Sequence, residues 1–257
     1  MRGNDEIWTQ IKRAAALLRE SRHAIALTGA GASTPSGIPD FRTPGSGLWE
    51  RADPMEIVSA YAFRRNPQAF YDWMRPLVKM LLAAEPNAGH RALAEMEDGG
   101  YLKAVITQNI DNLHQRAGSH EVLELHGHIR EATCIRCYAS MPTGPLLTEF
   151  IASGQIPRCP ACGGVMKPNV VLFGEQLPVT VVNAAMAHVR QADLMLVAGS
   201  SLEVMPAAHL PALVRESGGS LIVVNLTPTF IDAVADIVIH GDVADVLPLI
   251  ARSCIEG

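Results

Sequence analysis

The stretch HAIALTGAGAS, residues 23–33, indicates the fold of the chain. Its apolar residues up to Thr28 are typical of a buried strand, and the glycines that follow are typical of a turn from a strand into a helix. Glycines in such a turn let backbone N–H groups approach a pyrophosphate. The third glycine of the usual dinucleotide fingerprint is missing, so these residues alone fit a tight structural turn equally well.

Similar apolar runs recur along the chain and alternate with longer amphipathic stretches. This alternation predicts a doubly wound, Rossmann-like α/β domain, in which helices cover both faces of a parallel sheet. The predicted strands are residues 23–28, 103–107, 122–125, 170–173, 194–198, 221–225 and 237–240. The predicted helices are residues 7–19, 67–84, 89–97, 179–191, 207–216 and 243–252.

Two segments do not follow this alternation. Residues 44–86 are mostly helical in pattern after an opening rich in glycine and proline, and residues 127–168 hold four of the five cysteines. Because each segment leaves the sheet and returns to it, we expect a smaller zinc-binding domain formed by insertions. The Rossmann-like domain then consists of residues 1–43, 87–126 and 169–257, and the small domain of residues 44–86 and 127–168.

The cysteines predict a metal site. Cys134 and Cys137 form one Cys-x-x-Cys pair, and Cys159 and Cys162 form a second pair, with 21 residues between the two pairs. This spacing is typical of two knuckles that hold one tetrahedral Zn²⁺, and four sulfur ligands leave no position open for catalysis. A redox motif is less consistent with two such pairs. A zinc ribbon that binds nucleic acid is an alternative, which the large α/β domain disfavours.

The composition is typical of a globular protein and disfavours several classes of function. The chain has 257 residues, of which 48% are hydrophobic and 18% charged, as in ordinary globular proteins. Its net charge of −5 disfavours a surface that neutralises many phosphates, so we expect no specific nucleic-acid partner. The first residues lack the apolar run of a signal peptide, and the most apolar stretch, residues 194–204, is interrupted and short. We therefore expect a cytoplasmic protein without a membrane segment.

Polar residues follow two of the predicted strands. Gln108, Asn109 and Asp111 come directly after one strand, and His126 ends the next. Ligands bind at the carboxyl ends of parallel strands, where an imidazole can accept a hydroxyl proton near neutral pH. The alternatives are that Asn109 and Asp111 cap a helix beginning at Asn112, and that the histidine is structural.

Together these motifs resemble the sirtuin (Sir2-like) family, in the family's order and through nearly the whole chain. The matching motifs are Gly29–Ser33, Gly37–Arg42, Thr107–Asp111, His126–Gly127, the two cysteine pairs, Phe173–Glu175, Gly199–Ser201 and Val224–Asn225. The resemblance implies an NAD-dependent protein-lysine deacetylase that uses NAD as a co-substrate and one structural Zn²⁺ per chain. Its expected substrates are acetylated-lysine proteins or peptides, and its products are nicotinamide, O-acetyl-ADP-ribose and the deacylated lysine.

The resemblance also implies roles for individual residues. His126 would be the catalytic base, acting with Asn109. The NAD-binding residues would be Gly29, Ala30, Gly31, Ser33, Asp40, Phe41, Arg42, Gln108, Asn109, Ile110, Asp111, Gly199, Ser200, Ser201, Asn225, Leu226, Asp242 and Val243. The substrate-binding residues would be Val171, Phe173, Gly174, Glu175 and Val204. His114 would support the loop of residues 108–111.

The helix after the cofactor loop predicts the acyl preference. Sirtuins that favour succinyl- or malonyl-lysine carry a tyrosine with an arginine three residues later, whereas here Tyr71 is followed by Met74 at that spacing. Arg75 lies one residue further, about 100° round the helix. We therefore expect acetyl or other neutral acyl groups.

Three alternative functions remain. A protein mono-ADP-ribosyltransferase would use the same pocket with a different nucleophile. A non-catalytic module that senses NAD or acyl-lysine would keep the fold without turnover. A dehydrogenase is disfavoured, because no acidic residue follows the second strand to bind ribose.

Overall fold

The computed structural model of the chain describes residues 2–40, 47–48 and 53–257. Two of the expected NAD-binding residues, Phe41 and Arg42, lie outside the described residues, as does the expected domain boundary at residue 43. In the described part of the chain, no helix is long and apolar enough to cross a bilayer.

The described residues contain nine strands and ten α-helices. The strands are β1 (Ala24–Thr28), β2 (Val105–Thr107), β3 (Val122–Glu124), β4 (Gly127–Cys134), β5 (Ser140–Pro142), β6 (Met166–Val170), β7 (Leu194–Ala198), β8 (Ser220–Asn225) and β9 (Ile237–His240). The helices are α1 (Arg2–Glu20), α2 (Pro54–Ile57), α3 (Ala60–Arg65), α4 (Pro67–Ala83), α5 (Ala88–Asp98), α6 (Leu113–Ala117), α7 (Thr143–Ser153), α8 (Val179–Gln191), α9 (Leu210–Glu216) and α10 (Val243–Glu256).

Six strands form one parallel sheet in the order β3-β2-β1-β7-β8-β9. Successive residues of β1 face opposite sides of this sheet, so Ala24 and Ala26 pack into the hydrophobic cluster that includes residues of α1, α5 and α10. Ile25 and Leu27 pack into a second cluster with residues of α8 and α9. Helices therefore cover both faces, which confirms the doubly wound α/β fold.

The three remaining strands form a separate antiparallel sheet in the order β5-β4-β6. Here the prediction of a strand at residues 170–173 is wrong, because β6 ends at Val170. The segment after β6, residues 171–175, is irregular: Phe173 forms a bridge with Ser59, and Val171 N donates to His126 O. A short apolar run indicates a buried segment, but periodicity alone does not show that it belongs to a sheet.

The two insertions share a hydrophobic core. Phe63, Phe70 and Tyr71 of the helical segment pack in one cluster with Phe150 of α7 and Val165 next to β6. Asn66 begins α4 by accepting a hydrogen bond from Ala69 N at 3.3 Å. Because one core joins both insertions, we propose the boundaries at residues 86/87, 126/127 and 168/169 as those of a single small domain.

Candidate functional site

A cleft of about 710 Å³ lies at the carboxyl ends of the parallel strands. Each of the six parallel strands is followed by residues that line it. These residues are Gly29–Gly31 after β1, Gln108–Asp111 after β2, His126 after β3, Gly199–Ser201 after β7, Asn225–Thr227 after β8 and Gly241–Val243 after β9. The other walls include the segment after β6, residues of α4, and the residues around Asp40 and Val204.

The structure brings the sequence-predicted site residues together in this cleft. Every predicted NAD-binding residue that the structure describes lines it. The five predicted substrate residues, Val171, Phe173, Gly174, Glu175 and Val204, line it as well.

The glycines after β1 and β7 allow two turns to approach closely. Gly199 has a φ of +62°, and a Cβ at this position would lie 2.3 Å from Ala32 N. A Cβ on Gly31 would lie 2.9 Å from Gly199 O. No side chain fits between these backbones, so the glycines are required for the shape of the cleft floor.

Asn109 and Asp111 are joined to the β1 turn by hydrogen bonds. Asn109 Nδ2 donates to Gly29 O at 2.9 Å and to Ser33 Oγ at 3.0 Å. Ser33 Oγ donates to Asp111 Oδ2 at 2.6 Å, while Asp111 Oδ1 accepts from Leu113 N at 2.9 Å. The capping interpretation therefore holds for Asp111, which caps the start of α6, but not for Asn109. Burial raises the pKa of Asp111, against the effect of these hydrogen bonds.

His126 is held in one orientation by the backbone. Its Nδ1 lies 3.0 Å from Gln108 O. Because a carbonyl only accepts, Nδ1 carries the proton of the neutral ring and Nε2 is left as the proton acceptor. Burial lowers the pKa of His126, which keeps the ring neutral at pH 7. The carbonyl of His126 accepts from Val171 N at 2.8 Å, which ties the histidine to the segment after β6.

Beneath this loop lies a buried chain of hydroxyl groups that sequence reasoning missed. Thr28 Oγ1 donates to Thr107 Oγ1 at 2.8 Å, and Thr107 Oγ1 accepts from Asn109 N at 3.1 Å. His114 Nε2 lies 2.9 Å from Thr28 Oγ1, so His114 is connected to the loop through the two threonines. One sequence feature could have revealed this chain: Thr28 and Thr107 end two neighbouring parallel strands.

One wall of the cleft is apolar. It is formed by residues of α4 at helical spacing: Phe70, Trp73, Met74, Leu77 and Leu81. This periodicity was visible in the sequence, but the sequence did not indicate that the face lines a cleft. Tyr71 and Arg75 do not line the cleft. Tyr71 Oη donates to Met166 O at 2.5 Å and Arg75 Nη2 to Ile151 O at 2.5 Å, so both are bound to the cysteine-bearing insertion.

The four paired cysteines form a second site. Their Sγ atoms all lie within 4.8 Å of one another, with Cys134 to Cys162 at 3.5 Å and Cys137 to Cys159 at 3.6 Å. A tetrahedral zinc with bonds of about 2.3 Å requires sulfur separations of about 3.8 Å, so the four cysteines are positioned to bind such an ion.

The backbone around the cysteines fits bound thiolates. Arg136 N and Gly164 N each point at a sulfur, Cys134 Sγ and Cys162 Sγ respectively, at 3.4 Å. A Cβ on Gly164 would lie 2.7 Å from Cys134 Sγ, so only glycine fits beside the ligand set.

Comparison with known proteins places these features in a family. Residues 29–206 match the model described as the Sir2 family. The NAD-dependent protein deacetylase of Caldivirga maquilingensis is 48% identical over 96% of this chain and 95% of its own length. The NAD-dependent protein deacylase 2 of Archaeoglobus fulgidus is 46% identical, with 95% of each chain covered. A solved Sir2 structure with a deacetylated p53 peptide and 3'-O-acetyl-ADP-ribose is similar with a TM-score of 0.88 and 41% identity, over 96% of this chain and 97% of that chain.

Proposed function

Since this chain belongs to the Sir2 family, we propose that it is an NAD-dependent protein-lysine deacetylase. Its reaction yields nicotinamide, O-acetyl-ADP-ribose and the deacylated lysine. The observation that carries this proposal is the state of His126: its Nδ1 is bonded to Gln108 O, and its Nε2 is left to accept a proton in a cleft to which all six parallel strands contribute.

The proposed NAD site follows the strand ends. Asn109 and Asp111, with the N–H of Ile110, would hold the nicotinamide and its ribose, and the Gly29–Ser33 turn would hold the pyrophosphate. Asn225 and Leu226 would contact the adenosine ribose, and Asp242 and Val243 the adenine. NAD, when bound, supplies the ribose carbon to which the acyl oxygen is transferred.

The role proposed for His126 is to accept a proton from a ribose hydroxyl. A neutral imidazole is required for this step, and the lowered pKa of His126 maintains it at neutral pH. The hydrogen bond from Nδ1 to Gln108 O also stabilises the ring once Nε2 is protonated.

The segment after β6 is the proposed peptide site. A substrate peptide would pair with residues 171–175 as an added strand, with Val204 on its other side. The segment is held in place because Glu175 Oε2 accepts from Leu172 N at 2.9 Å and pairs with Lys167 Nζ at 3.0 Å. Val171 and Phe173 would then contact the acyl-lysine.

We propose that neutral acyl groups are preferred. The α4 wall is apolar, and Tyr71 and Arg75 are both bonded to backbone carbonyls away from the cleft. A succinyl carboxylate in this wall would therefore lose its hydration without gaining an arginine partner. We expect removal of acetyl from a peptide to have at least a tenfold higher kcat/KM than removal of succinyl from the same peptide, because an uncompensated charge costs more than about 1.4 kcal/mol. Equal or faster desuccinylation would contradict the preference.

The other proposed properties follow from composition and from the cysteine site. The four cysteines would hold one structural Zn²⁺, since they leave no open coordination position. The proposed partners are acetylated-lysine proteins or peptides in the cytoplasm. The net charge of −5 supports the absence of a specific nucleic-acid partner.

The decisive experiment is mass spectrometry of an acetyl-lysine peptide and of the protein itself, with and without NAD. We expect deacetylation that requires NAD and falls by about 10² to 10⁴ in His126→Ala, the usual contribution of a general base. The matched control is His120→Ala, because His120 is exposed and outside the cleft. ADP-ribose on protein without deacetylation would indicate the transferase, and NAD binding without turnover would indicate a sensing module.

A further inference from the structure

Arg130 connects three segments around the cleft. Its guanidinium makes two parallel bonds to Glu124, from Nη1 to Oε1 at 2.6 Å and from Nη2 to Oε2 at 2.5 Å. Nη1 also donates to Asn112 Oδ1 at 2.8 Å. Glu124 ends β3, Arg130 lies in β4, and Asn112 precedes α6. One side chain therefore joins the two flanks of His126 to the end of the loop that carries Asn109 and Asp111.

The backbone also joins these segments, through the pairing of β2 with β3 and through two further hydrogen bonds. Leu125 N donates to Thr107 O at 2.9 Å, and Ile129 N donates to Ile110 O at 3.2 Å. Between these two bonds the chain turns at Gly127, whose φ is +74°. His126 is thus carried by a tight turn, and the Arg130–Glu124 pair connects the two ends of that turn.

The Arg130–Glu124 ion pair is partly buried and is not a surface contact. The Glu124 side chain is only 9% exposed, whereas that of Arg130 is 38% exposed. A nearly buried carboxylate needs a partner that satisfies both oxygens, and a bidentate guanidinium does so in a defined plane. Lysine is a point charge on a flexible stem and does not reproduce that geometry.

We propose that Arg130 is a positioning residue, which sets the place of His126 relative to the loop of Asn109 and Asp111 through Glu124 and Asn112. The proposal rests on the function proposed above and adds a residue that does not line the cleft. Release of nicotinamide depends on the loop, whereas proton acceptance depends on His126. Arg130, together with the direct hydrogen bond between His126 and Gln108 O, sets the distance between the two. A displacement of about 1 Å between reacting groups can cost about 10² in rate.

The test compares two activities of the same protein. Exchange of labelled nicotinamide into NAD, in the presence of an acetylated peptide, reports on the loop, whereas deacetylation also needs His126. In Arg130→Met we expect the kcat for deacetylation to fall about tenfold or more, while the exchange rate and the KM for peptide change less than about twofold. Arg130→Lys should not restore the ratio of the two rates, because it lacks the planar fork.

The matched control is Arg215→Met. Arg215 pairs with Asp236 at 3.2 Å with a similar exposure of 41%, but it lies in α9, outside the cleft. The Arg215→Met variant should leave the ratio of the deacetylation rate to the exchange rate unchanged. A merely structural role of Arg130 would lower both rates by the same factor, because it would only reduce the folded fraction, and that result would overturn the proposal.

If Arg130→Met does not fold because Glu124 is left unpaired, the double variant Glu124→Gln with Arg130→Met removes both charges and provides the same test. If the folded double variant has the same ratio of deacetylation rate to exchange rate as the unsubstituted protein, the proposal is also overturned. Failure of the function proposed above is a different result, since the unsubstituted protein would then show neither NAD-dependent reaction.

Discussion

The central strands of the parallel sheet and the strands of the small sheet differ in how they are stabilised. All residues of β1 and β7 are buried, whereas β4 and β5 each carry exposed residues. The cluster around the small sheet contains four buried residues, and two of them, Cys134 and Cys159, are predicted metal ligands. Hydrophobic burial is therefore extensive in the first region, whereas we expect the second to depend on the ion that its cysteines are positioned to hold.

The largest effect should come from removing a cysteine of the small region. We expect Cys159→Ala to lose the zinc and the ordered structure of residues 134–164, because a structural zinc contributes about 10 kcal/mol or more in small modules. Zinc content by elemental analysis, and protease cleavage within that segment, measure this effect.

The matched control is Cys254→Ala, since Cys254 is as deeply buried as Cys159 but lies in α10 and faces α1, away from the other cysteines. We expect it to keep one zinc per chain and to cost only about 1 kcal/mol of global stability. Full zinc content in Cys159→Ala would refute the dependence of the small region on the ion.

A smaller effect should follow from a cavity in the parallel sheet. Leu196→Ala in β7 removes a fully buried side chain and should lower the free energy of unfolding by about 3 kcal/mol. Leu146→Ala in α7 removes a side chain that is only partly buried against the cysteine cluster, so we expect a loss below about 1.5 kcal/mol. Urea unfolding in the presence of zinc measures the stability of both variants. Equal losses of unfolding free energy would contradict the difference between the two regions.

Acidification should have a smaller effect than the Leu196 cavity, and it acts on the sheet region through buried histidines. Burial lowers the pKa of His90 to about 4, and its ring packs edge-on to the buried His114 at 4.8 Å. A histidine in the unfolded chain titrates near about 6.5, so the unfolded state binds the proton first and stability is lost from about pH 6.5 down to about pH 4. Between pH 7 and pH 5 this amounts to about 2 kcal/mol for His90.

His90→Gln should remove that part of the pH dependence, as measured by urea unfolding at both pH values. His120→Gln is the matched control, because His120 is exposed and should leave the difference unchanged. If His90→Gln keeps the full loss at pH 5, the acid sensitivity arises elsewhere, for example from release of the metal.

Local patterns were enough to predict much of the fold. The six parallel strands were each located within two residues, because continuous apolar runs between amphipathic stretches are typical of buried strands. The antiparallel strands and α7 were missed, since residues 127–168 are short elements without a clear period. Residues 170–173 were assigned to a strand because they are apolar, but in the structure they line the cleft, and no local pattern contains that contact.

The sequence by itself determined the parallel sheet, the four sulfur ligands and the set of polar residues at the strand ends, because these depend on periodicity and spacing along the chain. Only the tertiary structure decided the tautomer of His126, the raised pKa of Asp111, the orientation of Tyr71 and Arg75 away from the cleft, and the contact of Arg130 with Glu124 and Asn112. The physical reason is that hydrogen-bond partners and desolvation come from the packing of several elements around each group, and the pattern around one residue does not contain them.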